Sequence, residues 1–269
     1  MAAPAPSGGA LRFGAPDADG VATLAIANPG KRNALDIGMW RALREGFERW
    51  SAMPAAEAPR AVLVHGEGGD FASGGDIEEF ASFRFDPDRL AHFHDEIVAP
   101  ALHAMRDCEI PLIAAIEGAC LGGGLEIAAC CDIRVAAASA RFGAPIAKLG
   151  FPMAPQELAL LHDTFAPAAL REMLLEAVVH DAAAALRLGI VHQVVGDAAM
   201  LSRARERALR IAGFGTEAAR ANKRTLRQIA AGGPDAQQRR AHYDYAPNAE
   251  HREGIAAFIE KRPPRFMRG

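Results

Sequence analysis

Apolar and polar positions change period several times along the chain, and each change marks an element. Val21-Ala22-Thr23-Leu24-Ala25-Ile26-Ala27 alternates as a strand does, and Asn28-Pro29-Gly30 ends it. From Ile37 to Ser51 the period lengthens. Trp40, Leu43, Phe47 and Trp50 recur at spacings of three and four, with Asp36 where an N-cap belongs, so an amphipathic helix is predicted. Ala61 to Val64 is a short apolar run, consistent with a buried strand, and it empties into a glycine-rich loop from His65 to Asp76. A helical segment is predicted from Pro87 to Arg106, then a strand from Leu112 to Ile116, a glycine cluster, and a helix continuing to Cys130. Asp132 to Ala136, Arg141-Phe142 and Ile190 to Val195 read as later strands.

Strand and helix alternating at this pitch predict βαβ units and an α/β fold. Parallel neighbours should dominate, because each crossover is long enough to hold a helix. After Gly196 the sequence is almost entirely helix-forming, broken at Gly232-Gly233-Pro234. The expected organisation is a leader over residues 1–15, an α/β core over 16–196 and a helical C-terminal subdomain over 197–269. The start, MAAPAPSGGA, has no basic stretch followed by an apolar one, so it reads as a disordered leader rather than a signal peptide.

Composition narrows the function. The 269 residues are 50% hydrophobic, enough for one large core. The 30 Lys+Arg against 33 Asp+Glu give a formal charge of −3, which offers no global field for nucleic acid or a membrane surface. An anion would have to be met by a local basic cluster. No apolar run approaches the ~20 residues of a membrane span, so a soluble, cytoplasmic protein is expected. Cys108, Cys120, Cys130 and Cys131 form no C-x-x-C pair and read as free thiols in a reducing compartment. No metal site is expected. His92 and His94 on one helix would point about 200° apart.

Two loops share one design, a hydrophobic strand leading through glycines into a helix. The first is Phe71-Ala72-Ser73-Gly74-Gly75-Asp76-Ile77 and the second Leu121-Gly122-Gly123-Gly124-Leu125-Glu126. Glycine lets a ligand approach the backbone, and the N–H groups at a helix start favour negative charge. Brought together, two such loops could present two N–H donors to one oxygen, an oxyanion hole. Ordinary turns that bind nothing are the alternative. Neither loop has the G-x-G-x-x-G of a dinucleotide site.

The segments NPGKRNALD (28–36), GGDFASGGDIEEF (68–80) and IEGACLGGGLEIAACCDIRVA (116–136) resemble those of the enoyl-CoA hydratase/isomerase, or crotonase, family. GIAAFIEKR (254–262) is similar to that family's C-terminal helix, and the resemblance runs from about residue 20 to the end. It implies a crotonase-like ββα spiral core with a helical C-terminal subdomain that builds a homotrimer or a dimer of trimers. It implies an acyl-CoA thioester as substrate, with coenzyme A part of that substrate and no separate cofactor. The oxyanion donors would be the backbones of Gly75 and Gly123. The Ala72-to-Ile77 backbone, including Asp76, would meet the adenine. Lys31 and Arg32 would meet the nucleotide end of CoA, and Lys261 the CoA of a neighbouring subunit. Ordinary surface cations are the alternative for all three.

Glu126 matches one of two family catalytic glutamates. Its apolar neighbours Leu125, Ile127, Ala128 and Ala129 would raise its pKa and suit it to proton transfer. The second glutamate position is occupied by Ile146, so a single-glutamate site is expected and ordinary hydration is in doubt. Phe151 and Met153 would reshape the acyl pocket. Glu157 reads as a surface acid at a helix start, with a substitute carboxylate as the alternative. His92, His94 and Asp95 read as a solvated helix face, with one histidine reaching substrate as the alternative. The expected activity is that of an enoyl-CoA hydratase/isomerase-type enzyme. The alternatives are an acyl-CoA decarboxylase or other lyase of the family, or a CoA-binding member with vestigial catalysis. A serine-nucleophile branch finds no histidine motif to match Ser73.

Overall fold

In the computed structural model, which describes residues 8–266, the alternating segments become strands and the longer periods helices. The chain opens with β1 (Ala10–Phe13) and β2 (Val21–Ala27), followed by α1 (Ile37–Ser51) and β3 (Ala61–Gly66). A short α2 (Ile77–Phe80) precedes α3 (Pro87–His92), a π-helical turn (Phe93–Val98) and α4 (Ala99–Asp107). Then come β4 (Leu112–Ile116), β5 (Ala119–Leu121), α5 (Gly123–Cys130), β6 (Ile133–Ala137), β7 (Arg141–Gly143) and a 3-10 turn (Pro145–Leu149). The next group is α6 (Pro155–Thr164), α7 (Pro167–Leu175), β8 (Val179–Asp181), α8 (Ala182–Arg187) and β9 (Gln193–Val195). The chain closes with α9 (Met200–Ala212), α10 (Thr216–Ala230), α11 (Ala236–Ala241) and α12 (Ala249–Ile259).

Among the described residues the strands form a six-stranded sheet in the order β1-β2-β3-β4-β6-β9 and a three-stranded sheet in the order β5-β7-β8. From β2 to β9 all pairings in the large sheet are parallel. Each turn of chain gives one strand to each sheet: β4 then β5, β6 then β7. An isolated parallel bridge from Ala72 to Cys120 extends the pattern to the stretch after β3. This stepwise winding stacks the strand-to-loop exits of β3 and β4 on one side of the molecule, which is where the two glycine loops meet.

The period of two decides what each face buries. Val62, Val64, Leu112, Ala114 and Ile116 enter the large core with Leu43, Phe47, Leu102 and Met105 from α1 and α4. Their alternates Ala61, Leu63, Ile113 and Ala115 face the other way, onto Met200, Ala204, Ala208 and Ala212 of α9. Alanine at every fourth position lets this helix lie close to the sheet.

Two expectations need correcting. The leader is shorter than residues 1–15: Ala10–Phe13 is a strand paired antiparallel with β2, while residues 1–7 lie outside the described residues. Phe13 anchors it, meeting Phe47 and Trp50 edge-on at 5.9 and 4.8 Å in the gap that Gly46 leaves on α1. The helical subdomain does not begin at residue 197, because α9 is part of the core. The helical segment predicted over Pro87 to Arg106 is present without a break, with a π turn at its middle. Pro100 has no N–H to offer the carbonyl of Glu96, and the backbone widens before it. Among the described residues no helix is long and apolar enough to cross a membrane.

Candidate active site

The two glycine loops lie against each other. Leu121 donates its N–H to Ala72 O at 3.0 Å, and a side chain on Gly124 would run into the Ala72 carbonyl. At Gly122 the backbone takes φ +49 and ψ −118, a conformation open to glycine, which turns β5 directly into α5. The N–H groups of Gly75 and Gly123 have no acceptor among the described residues, and both residues line one cavity of about 240 Å³. Trp40 lies beside Gly123, so close that a Cβ there would stand 2.8 Å from its ring.

The segment Asn28 to Asp36 clamps these loops. Asn33 takes a left-handed backbone, φ 57, and its side-chain amide donates to Glu67 O at 2.8 Å and Asp70 O at 2.7 Å. Asn28 returns a 2.8 Å bond from its N–H to the Asn33 side chain. Asp70 then joins first loop to second: it accepts from Ala119 N–H at 2.7 Å and takes both prongs of Arg32 at 2.9 and 3.0 Å. The guanidinium holds the Asp70 carboxyl below its ordinary range, with burial opposing.

Three titratable groups meet in the cavity wall. Glu126, in the first turn of α5, is 4% exposed, and its carboxyl takes no hydrogen bond from a described residue. Glu157, in the first turn of α6, is also 4% exposed. His94, on the π-helical turn, is hydrogen-bonded through Nδ1 to Glu157 Oε1 at 2.6 Å. Burial pushes Glu157 up to about 8. Glu126 is raised well above a normal carboxyl, by burial first and the neighbouring Glu157 second. His94 is lowered by burial and then by the Arg84 charge. The arrangement holds carboxyls in their protonated form at neutral pH, able to exchange protons with a group placed beside Gly75 and Gly123.

The family model described as enoyl-CoA hydratase/isomerase matches residues 17–269. The chain belongs to the enoyl-CoA hydratase/isomerase family. Among relatives in this family, the probable enoyl-CoA hydratase echA8 of Mycobacterium leprae is 32% identical over 250 residues, 91% of this chain and 94% of that one. An enoyl-CoA hydratase/carnithine racemase from Magnetospirillum magneticum has a solved structure that superposes with a TM-score of 0.88 at 38% identity, covering 97% of this chain and 96% of its own. An enoyl-CoA hydratase structure from Geobacillus kaustophilus superposes with a TM-score of 0.83 at 29% identity, covering 97% and 98%. The fold is therefore the crotonase fold expected for an enzyme of this family.

Within this family fold, the sequence-derived residues divide. Gly75, Gly123 and Glu126 meet at the cavity, with Ile146, Phe151 and Met153 in its walls as expected, and Ile77, 61% exposed, at its edge. Ala72 does not offer its backbone to a ligand. It is fully buried, its N–H bonded to Ala119 O and its carbonyl to Leu121 N–H. Asp76 is buried as the N-cap of α2, accepting from Glu78 N–H and Lys31 Nζ. Lys31 is bonded at 2.7 Å to both Asp76 and Glu78, which raise its pKa, and Arg32 is bonded to Asp70. Both cations brace the loop in this structure. Lys261 lies exposed just past α12.

Glu157 is not a surface acid. The start of α6 docks beside α5, and the carboxyl that sequence position suggested would be solvated is enclosed. His94 likewise leaves the solvated face to His92 and Asp95, which are exposed. The π turn rotates less per residue than an α-helix, and His94 within it lines the cavity. Arg84, also in the cavity wall, gave no signal in a segment without periodicity. Asp70 gave none either, since its role depends on a contact with Ala119 across 49 residues.

Proposed function

We propose that the chain acts on acyl- or enoyl-CoA thioesters through an enolate whose oxygen is held by the N–H groups of Gly75 and Gly123. The carrying observation is that these open donors line the same cavity as the buried carboxyls of Glu126 and Glu157. Each donor of such a pair is worth ~10²–10³ in rate, because it meets charge that develops in the transition state inside a site of low polarity. Coenzyme A enters as part of the substrate, with no further cofactor.

The acid–base work falls to a pair of carboxyls rather than to Glu126 alone. Ile146 leaves the usual second position apolar, and Glu157 reaches the cavity from α6. In the hydration direction the Glu157 oxygen not bonded to His94 takes a proton from the attacking water, and the Glu157 proton passes to His94 Nδ1. The water oxygen bonds to C3, and protonated Glu126 gives its proton to C2 as the enolate collapses. Return of a proton from the His94–Glu157 pair to Glu126 resets the site. From the resemblance of residues 254–262 to the family's C-terminal helix we further propose a cytoplasmic homotrimer or dimer of trimers, with Lys261 serving a neighbouring copy's CoA.

The test is solvent exchange and turnover on a panel of saturated and enoyl-CoA thioesters. Mass spectrometry in deuterated water should show deuterium entering C2 of a bound acyl-CoA, and gain of one water by at least one short enoyl-CoA. Absence of both across the panel overturns the reading.

A further inference from the structure

We propose that this site, on the thioester reading above, selects short acyl chains that end in a second carboxylate, and that Arg84 is the residue that takes it. Arg84 lies between α2 and α3, in the wall of the cavity that holds Gly75, Gly123 and Glu126. Its guanidinium stacks on two rings, 3.5 Å from the centre of Phe151 and 4.4 Å from that of Phe80. Among the described residues it has no ion pair and no side-chain hydrogen bond, and its Nε is buried without a partner. Lys31 and Arg32, by contrast, are each met by carboxylates.

The nearest acid in the same wall is Glu157, and it is committed elsewhere. It bonds to His94 at 2.6 Å and stands beyond ion-pair reach of Arg84. Burial also favours the protonated form of both cavity carboxyls and neutral His94. Arg84 is the one lysine or arginine among the described residues lining this cavity. A half-buried cation with no ion pair is costly, and a ligand carboxylate offsets that cost through two parallel N–H···O bonds. Stacking between Phe80 and Phe151 holds the fork in one plane, so little freedom is lost when it engages. The cavity, about 240 Å³, admits roughly eight water volumes at ~30 Å³ each. That limits the chain to a few carbons.

The experiment is calorimetric binding of matched saturated thioesters: succinyl- against butyryl-CoA, and glutaryl- against valeryl-CoA, with free CoA as reference. The unaltered protein should bind one dicarboxylic thioester at least ~10-fold tighter than its neutral match, the scale of a hydrogen bond to a charged group. Arg84→Met should bring that ratio to about one, and Arg84→Lys, which keeps charge without the fork, should leave an intermediate ratio. Ratios near one in the unaltered protein overturn the proposal while leaving CoA-thioester binding intact. An equal loss for free CoA in Arg84→Met also overturns it, by assigning Arg84 to a phosphate. No binding of any thioester overturns the underlying reading as well. The ratio in the unaltered protein decides the matter even if a variant fails to fold.

Discussion

His94 Nδ1 and Glu157 Oε1 stand 2.6 Å apart, joining the π-helical turn before α4 to the first turn of α6. Both partners are largely shielded, with side-chain exposures of 16% and 5%, so one proton is shared in a site of low polarity. The bond fixes the Glu157 carboxyl in the cavity that Glu126 also lines. A second carboxyl thus enters the cavity from α6, while position 146 in its wall is isoleucine.

Glu157→Gln keeps the shape of that side chain and removes its ability to exchange a proton. Turnover of the enoyl-CoA that proves to be substrate should fall ~10²-fold or more, with KM changed little. Equal turnover in steady-state assays would reduce Glu157 to a structural acid.

The same variant makes a prediction about stability. The folded value of about 8 lies above the ordinary 4.5, so the folded state holds a proton that the unfolded state releases between those values. The contribution is fully present below about 4.5 and is lost as pH rises toward 8. Glu157→Gln, which has no charge to bury, should therefore gain in Tm relative to the parent as pH rises from 5 to 8. Calorimetric melts across that range check the sign.

Much of this architecture was legible because it is local. The continuous apolar run Ala61–Val64 reports a strand buried on both faces, and the spacing of Trp40, Leu43, Phe47 and Trp50 reports a helix buried on one. The glycine loops were legible as candidate segments, since Gly75, Gly123 and Glu126, which line one cavity, lie in two continuous stretches. What escaped depends on distant partners. Ala10–Phe13 is short and becomes a strand by covering the edge of β2. Glu157 carries the mark of any helix-start acid until α6 is packed beside α5. Arg84 stacks on Phe80, four residues earlier, but the second ring that fixes it, Phe151, comes 67 residues later.

The oxyanion glycines should differ in tolerance. A Cβ on Gly123 would lie 2.8 Å from Trp40 Cζ2 and 3.1 Å from Leu35 Cδ1, both on buried side chains. On Gly75 it would meet Phe80 at 3.0 Å, and that ring is only partly buried and can yield. Gly123→Ala should destabilise by ~1–3 kcal/mol through overpacking, and Gly75→Ala by less. Denaturant unfolding of the two variants, with the m value as a control, gives the comparison.

Glu126 and Glu157 should act as a unit. Burial and the neighbouring Glu157 raise Glu126, so Glu157→Gln lowers the proton affinity of Glu126. Glu126→Gln should leave binding of a CoA thioester nearly intact, since the thioester oxygen is held by backbone, while turnover falls ~10²-fold or more. The double variant with Glu157→Gln should fall little further than the worse single variant, because a relay missing one member gains nothing from the other. The falling limb of the pH–rate profile should also move to lower pH in Glu157→Gln, once the Glu157 charge no longer holds the proton on Glu126. Losses that multiply independently, together with an unmoved profile, would mean that the two carboxyls do not share a proton-transfer step.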